Sequence, residues 1–356
     1  MKLTELFTPQ AIAANFTQVH SNDLPYLGVG FFPSKKKAGL DLSWIKGTKG
    51  LPVSLKPSTF DAKATFRDRI GVSKIETEMP FFREGYLIKE KDRQEILRAK
   101  DTNDPYAQAV IDHIYDDVND LIAGADVVPE RMIWQLLAPA SGNVGINITA
   151  NGVSYTYNYD PDGSWKTANY VELTTAADKW NVPATADPFD DMRTLQDTIE
   201  DNTGARPDTA IMSRTTFNYL LASEKVKSAI LAQNLTANIF LTDAIVKEVV
   251  AQILGIDIIV YSKKFKTEAG VATAFYPDNY VTLVSRGAPL GSTYYGTTPE
   301  EADLMGSGQA NVSIINTGLS ITQIIQPHPV NIETIASEIV LPTYERMDEV
   351  GVLKVA

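Results

Sequence analysis

DPYAQAVIDHIYDDVNDLIAGA, residues 104–125, is the stretch that decides the fold of this chain. Ala107, Val110, Ile114, Val118, Leu121 and Ala125 recur at three- and four-residue steps, and Ile111 and Ile122 widen the stripe. That spacing is one apolar face of an α-helix. Asp112, Asp116 and Asp120 fall on the opposite face. Asn103 or Asp104 can cap the start, and Pro105 suits the first helical position. The pattern predicts a helix over 104–123, and a second one over 129–137 that extends or kinks it. Residues 104–138 hold seven acids and one base, Arg131, a local charge of −6.

Upstream the sign reverses. Residues 33–74 hold ten basic side chains against three acidic ones, a local +7 in a chain whose total is −12. Here the pattern is extended. Leu40, Leu42 and Trp44 alternate, as do Ala62, Ala64 and Phe66, with Lys63, Thr65 and Arg67 on the other side, which is a half-exposed strand pattern. Breaks at 47–50 and 57–59 suit turns. About twelve residues per arm would reach roughly 40 Å. A two-stranded hairpin is marginal in water by itself, so this one needs a surface to lie on. A basic extended arm followed by an acidic helix suggests a molecule that meets copies of itself, because opposite fields on separate elements steer and register association.

The composition is that of a folded protein. At 356 residues and 44% hydrophobic the chain has room for two domains, or for one with long excursions. Zero cysteines exclude disulfides, thiolate metal sites and Cys nucleophiles. No run approaches the roughly 18–20 apolar residues of a membrane span. The start, MKLTELFTPQAIAANF, lacks a signal peptide's apolar region and reads as a short helix. A pI near 4.8 argues against a dedicated nucleic-acid binder, although a local basic patch can still touch DNA.

Beyond the helix, residues 144–160 alternate again and turn through Asn151-Gly152, a strong hairpin signal. Asp187, Pro188 and Gly204 punctuate a helix whose apolar face is Phe189, Met192, Leu195 and Ile199. A strand is expected over 209–212, a helix over 214–231, another over 242–254 closed by Gly255, and strands over 256–261, 272–276 and 280–285. Residues 287–317 are Gly- and Thr-rich and weakly patterned. The tail from Leu319 is strand-like, with Pro327, Pro329 and Pro342 as breaks.

Chemistry is sparse. The three histidines, His20, His113 and His328, sit in no metal or catalytic frame. Residues 158–163, NYDPDG, match the start of a calcium loop, but position 12 is Asn169 rather than Glu, and Asp162-Gly163 reads better as a hairpin turn. No nucleophile elbow, Walker loop or dinucleotide fingerprint is present. Adjacent acid pairs, Asp116/Asp117, Asp190/Asp191 and Glu300/Glu301, read as solvated faces. No catalytic, cofactor or metal residue is assigned, and the chain is expected not to be an enzyme.

The order of these parts resembles the tailed-bacteriophage major capsid (major head) proteins of the Hong Kong 97-type fold, in the branch similar to phage lambda head protein E. The resemblance runs through LDLSWIKGTKGLPVSL to VSKIETEMPFF, the helix quoted above, DKWNVPATADPFDDM, FYPDNYVTLVSRG, and the tail SIINTGLSITQIIQPHPVNIETIASEIVLPT. It implies an α+β fold with an N-arm at 1–38, an E-loop at 39–80 and a P domain at 81–141 holding the spine helix 104–123. An A domain at 142–317 and returning P-domain strands at 318–356 complete it. It also implies pentamers and hexamers in an icosahedral virion shell around double-stranded DNA, assembled in the host cytoplasm without a membrane. Portal and decoration proteins are further implied partners. Some relatives begin with a cleaved scaffold segment; this chain starts at the arm, so a separate scaffold protein is expected. Some relatives crosslink Lys to Asn. Lys46, Lys49 and Lys56 lie in the loop concerned, but no residue pattern assigns that chemistry.

The charge map yields a specific expectation. Lys56, Lys63, Arg67 or Arg69 of one subunit should pair with Asp112, Asp116, Asp117 or Asp120 of another. An encapsulin-like cellular compartment shares the implied fold and is the near alternative, separable by gene neighbours. An α/β hydrolase with unrecognised carboxylates is the distant one, and it requires a pocket with perturbed ionisable groups.

Overall fold

The computed structural model describes residues 8, 26–46, 73–91, 94, 105–150, 152–233 and 241–356. In chain order the elements are α1 (Gly28–Phe31), β1 (Ser34–Lys36), β2 (Asp41–Lys46), β3 (Ser73–Glu78), β4 (Phe81–Ile88), α2 (Pro105–Leu137), β5 (Gly145–Ala150), β6 (Val153–Asn158), α3 (Ser164–Asn169), β7 (Tyr170–Glu172), α4 (Pro188–Thr203) and β8 (Thr209–Met212). Then follow α5 (Arg214–Ala222), α6 (Glu224–Gln233), α7 (Asp243–Leu254), β9 (Asp257–Val260), β10 (Lys264–Lys266), β11 (Ala272–Ala274), β12 (Tyr280–Val284), β13 (Ser292–Tyr295), β14 (Asn311–Ile315), β15 (Leu319–Pro327), β16 (Val330–Thr343) and β17 (Gly351–Lys354). A π-helical turn covers Glu300–Leu304.

Helix α2 runs 33 residues without a break, about 50 Å at 1.5 Å per residue. The expected boundary at 123 is therefore too early, and the separate helix over 129–137 is the same helix continued. Pro129 lies inside it. Proline removes one ladder hydrogen bond. The buried run Met132, Ile133, Trp134, Leu136 and Leu137 offsets that loss through packing.

The chain divides into two compact units, each assembled from separated segments. The first draws on Met1–Leu42, Glu76–Met132 and Ser292–Thr343, and the second on Ser43–Ile75, Ile133–Gly291 and Tyr344–Ala356. These cuts differ from the expected segment boundaries. Residues 292–317 join the first unit, and the last thirteen residues return to the second.

In the first unit, β16 is the organising strand. Over 330–337 it pairs antiparallel with β15, over 332–339 with β4, and over 340–343 with β13. β14 extends the β15 side, and β1 joins β13 in parallel. Pro342, expected to break the tail, instead sits within β16 opposite Thr293, past the end of the β4 ladder, where a missing N–H is tolerated. On one face of the sheet, Ile315, Leu319, Ile321 and Ala336 pack against Leu121, Ile122 and Ala125 of α2. Leu121 and Ala125, with Ile122 beside them, are the part of the expected apolar stripe that the described side chains cover.

The second unit is a five-stranded mixed sheet in the order β7-β17-β12-β8-β9. Leu195 and Ile199 of α4 and Val249 and Val250 of α7 pack with Ala210, Met212, Val281, Leu283 and Leu353 of the sheet. Gly351 is required there, because a Cβ would stand 2.6 Å from Ile199 and 2.9 Å from Leu195. Helix punctuation is as expected: the Asp187 side chain accepts from Asp190 N, Thr242 from Ile245 N, and Gly204 and Gly255 close their helices in the left-handed conformation. The helix expected over 214–231 is two, α5 and α6, divided at Ser223, whose backbone is non-helical. The hairpin β5–β6 turns at Gly152 with φ +81°.

β2 pairs with β3. They form the roots of the expected loop, and Leu42 and Trp44 are buried on one side of β2. The rest of that loop, 47–72, lies outside the described residues, as does the expected N-terminal helix.

Candidate functional site

Helix α2 shows its acids unequally. Asp116 and Asp120, one turn apart, are exposed, while Asn119, Leu121 and Ile122 are buried. Asp112 and Asp117 belong to the same helix. Their expected partners Lys56, Lys63, Arg67 and Arg69 lie outside the described residues, as does His20.

Two of the seven acids counted along this segment do not belong to its surface. Glu130 is fully buried and accepts a hydrogen bond from Gly28 N at 3.1 Å. Asp126 is half-buried. Its removal from water pushes its pKa up to about 6, against a lowering hydrogen bond with Asn316. Tyr26 is pushed up to about 12 by burial, then by the negative charges of Asp126 and Glu130. On β16, Glu338 is 3% exposed, and burial followed by the charge of Asp126 carries it well above the ordinary carboxylate range. Sequence reasoning missed this group. The available signal was Glu338 sharing a strand face with Ile332, Thr334 and Ala336, since period-two alternation puts all four on one side.

The basic stretch is also partly committed within the subunit. Lys36 Nζ meets Glu301 Oε2 at 2.5 Å, Lys37 Nζ donates to Asp41 O at 2.5 Å, and Lys35 stands 5.8 Å from the centre of the Tyr294 ring. Glu300 is buried and accepts from Arg83 and, at 3.0 Å, from the Ser337 hydroxyl. Glu300 and Glu301 are therefore not the solvated pair expected; the π-helical turn aims them at two different partners. Asp191 departs from expectation too. It accepts from Trp180 Nε1 at 2.8 Å, and burial pushes it up to about 6.

The 158–163 loop is a helix entry rather than a hairpin turn. Asp160 Oδ1 accepts from Trp165 N at 3.2 Å and Oδ2 from Lys166 N at 3.0 Å, so the carboxylate caps α3. Asn169 is buried, and its amide donates to Asp348 O and Val350 O at 2.7 and 2.8 Å. Asp160, third in the calcium-loop match, and Asn169, twelfth, thus both bind backbone. Among the described residues, no group of three or more His, Cys, Asp or Glu side chains is placed to hold a metal ion. No described helix is long and apolar enough to cross a membrane.

An open cavity of about 700 Å³ lies beside the hairpin β5–β6, lined among others by Trp134, Ile146, Tyr157, Asp160, Lys166 and Phe275. Its two charged groups have structural tasks: Asp160 caps α3, and Lys166 Nζ donates to Asn143 Oδ1 at 3.1 Å. Trp134 stacks on Tyr261 with ring centres 4.7 Å apart, so the cavity wall is aromatic core.

A family profile described as phage major capsid protein E matches residues 8–354. Among solved structures, the putative capsid protein of a prophage of Escherichia coli CFT073 is 15% identical with a TM-score of 0.58, over 98% of this chain and 99% of that one. A phage-related protein from Bordetella bronchiseptica RB50 is 15% identical with a TM-score of 0.57, over 98% and 97%. The capsid of cyanophage A-1(L) is 13% identical with a TM-score of 0.51, over 94% of each chain. Among curated proteins, none matches the chain.

Proposed function

This chain belongs to the phage major capsid protein E family, and from that premise we propose how its parts build a shell. Its role is structural: it forms the capsid, its place is the virion, and its fold is that of the Hong Kong 97-type capsid proteins. The family match favours a phage shell over a cellular compartment or a hydrolase.

In our reading the first unit is the P domain, with α2 as its spine, and the second is the A domain that surrounds capsomer axes. Residues 39–80 form the E-loop, rooted on β2 and β3, and 1–38 form the N-arm. The loop of one subunit lies over the spine of the next, with Lys56, Lys63, Arg67 or Arg69 against Asp112, Asp116, Asp117 or Asp120. Subunits gather as hexamers and pentamers in an icosahedral shell. Scaffold, portal and decoration proteins take part, assembly occurs in the bacterial cytoplasm, and packaged double-stranded DNA is held without sequence preference. The subunit carries out no catalysis.

The observation that carries this reading is the pair of exposed acids Asp116 and Asp120 on a 33-residue helix, read with the basic character of the sequence over 33–74. Electron microscopy of the purified full-length protein tests it. Capsomers or closed shells are expected, at least with a scaffold present. A strictly monomeric species at high concentration, with or without the partner proteins, would overturn it. Deleting 48–69 should leave a folded subunit that makes no stable shell.

A further inference from the structure

Glu338 is the one acid on the helix-facing side of β16, and its setting is unusual. The residue is 3% exposed and its Oε1 has no hydrogen-bond partner. A buried carboxylate with no donor is costly unless it is neutral. Ala336, two residues before it, packs in one cluster with Ala125 of α2, and the next residue of that helix, Asp126, is the acid whose charge acts on Glu338. Both lie in the first unit, where α2 packs on the sheet through Leu121, Ile122 and Ala125.

We propose that Glu338 and Asp126 form a proton-gated latch between strand β16 and helix α2. With their protons the two carboxyls let the helix lie against the sheet; without them, two negative charges with little water around them push helix and sheet apart.

Groups from several elements surround the pair. Asn316, in the turn between β14 and β15, hydrogen-bonds Asp126. Tyr295 of β13 is held well above its ordinary range by burial, then by the charges of Glu338 and Asp126, while a hydrogen bond with Ser34 of β1 acts the other way. Tyr26 and Glu130 flank Asp126. On β4, Phe82 stands opposite Glu338 in the ladder, and Glu84, two residues along, is exposed. Burial raises both carboxyls, the charge of Asp126 raises Glu338 further, and the hydrogen bond from Asn316 lowers Asp126.

Both carboxyls are raised above the ordinary values of 3.8 and 4.5, Asp126 to about 6 and Glu338 well above its own. An opened form, with ordinary values, gives up its protons first. The pair therefore favours the closed packing fully in acid, and that contribution is lost as pH rises through the values of the closed form. Asp126 acts up to about pH 6, and Glu338 continues above it. One proton held only by the closed form changes the opening equilibrium up to about tenfold per pH unit.

Hydrogen exchange on the full-length protein from pH 5 to 8, corrected for the intrinsic pH dependence of exchange, tests this. Peptides from 116–132 and 330–343 should open up to about tenfold more per pH unit. Glu338→Gln should flatten that slope, and Asp126→Asn should remove its lower part. A flat wild-type profile, or an unchanged slope in both variants, would overturn the latch. If Glu338→Gln fails to fold, Asp126→Asn and an infrared measurement on the unaltered protein still decide. A protonated carboxyl band should persist at pH 7, and its absence would refute the proposal. A chelator should leave the profile unchanged; loosening by chelator at fixed pH would mean a bound cation, not a proton, neutralises the pair.

Discussion

Gln135 grips Asn147 by both of its backbone groups: the Gln135 amide nitrogen donates to Asn147 O at 3.1 Å, and its oxygen accepts from Asn147 N at 2.7 Å. A side chain on α2 thus occupies the ladder positions of a further strand beside β5. Gln135→Ala should free both groups. With each bond worth about 0.5–1.5 kcal/mol and the site open to water, the loss should be about 1–2 kcal/mol. Faster exchange of Asn147 NH, with unchanged exchange in β8, is the checking measurement.

Arg83 and Ser337 are the partners of the buried Glu300 carboxylate. Arg83→Met removes the only one of the two that carries charge. Removing one partner of a fully buried pair costs about 3–5 kcal/mol, but the Arg83 side chain is 47% exposed, and water screens the loss to about 1–3 kcal/mol. The double change Arg83→Met, Glu300→Gln should recover most of it. Denaturation midpoints of the two variants decide. An equal loss in both would mean that the ion pair is not what matters.

Asp160 should behave as a helix cap. Asp160→Ala leaves the first amides of α3 unsatisfied and should cost about 1 kcal/mol, whereas Asp160→Asn, which retains an acceptor, should cost less. Calcium should not raise the melting temperature of a chelator-washed sample. A saturable rise that Asp160→Ala and Asp162→Ala both abolish would restore the calcium loop.

Asp191 ties stability to pH. Its pKa rises from 3.8 to about 6 on folding, so the folded state holds the proton more tightly. Its contribution is complete below about pH 4, declines from there to about pH 6, and is gone above. Asp191→Asn retains an acceptor for Trp180 Nε1 and removes the titration. It should raise stability at pH 7 by about 1–2 kcal/mol after solvent screening and do little at pH 4. A melting-temperature series across pH for both proteins tests the sign.

Between subunits, each exposed charge pair should be worth about 0–1 kcal/mol. Arg67→Glu with Arg69→Glu should slow assembly, and Asp116→Lys with Asp120→Lys should partly restore it. Wild-type assembly, followed by light scattering, should slow as salt passes roughly 0.15 M, where the Debye length is about 8 Å. A reversal without effect at low salt would make the charge contrast a solvated or DNA-facing feature.

Local chemistry was legible in the sequence, and distant pairing was not. Asp187, Pro188 and Gly204 fix the ends of α4 because capping involves neighbouring residues only. Gly152 was readable for the same reason. β13 was missed among 287–317 because its partners, β16 and β1, lie far away in sequence and give no periodic signal of their own. The reach of α2 beyond Pro129 depends on the burial of Met132 through Leu137, which a breaker rule does not register. The exposed turn at Asp116 and Asp120 was foreseen from helical spacing. Asp126 and Glu338 were not, because charge counting treats every acid as wet.

The register of β4 against β16 bears on how the chain reaches its native state. Arg83 and Ser337 face each other across that ladder yet are separated by 254 residues. Both units are laced from three segments each, so neither can close before residues near 340 have emerged from the ribosome. High contact order of this kind makes folding slow and leaves β4 as an unpaired edge for much of synthesis. An unpaired edge is a template for a neighbouring copy of the same strand, and identical chains are made side by side during synthesis. The topology therefore sets a race between self-pairing and premature aggregation, and the yield of soluble subunit should depend on chaperone supply and on the rate of translation.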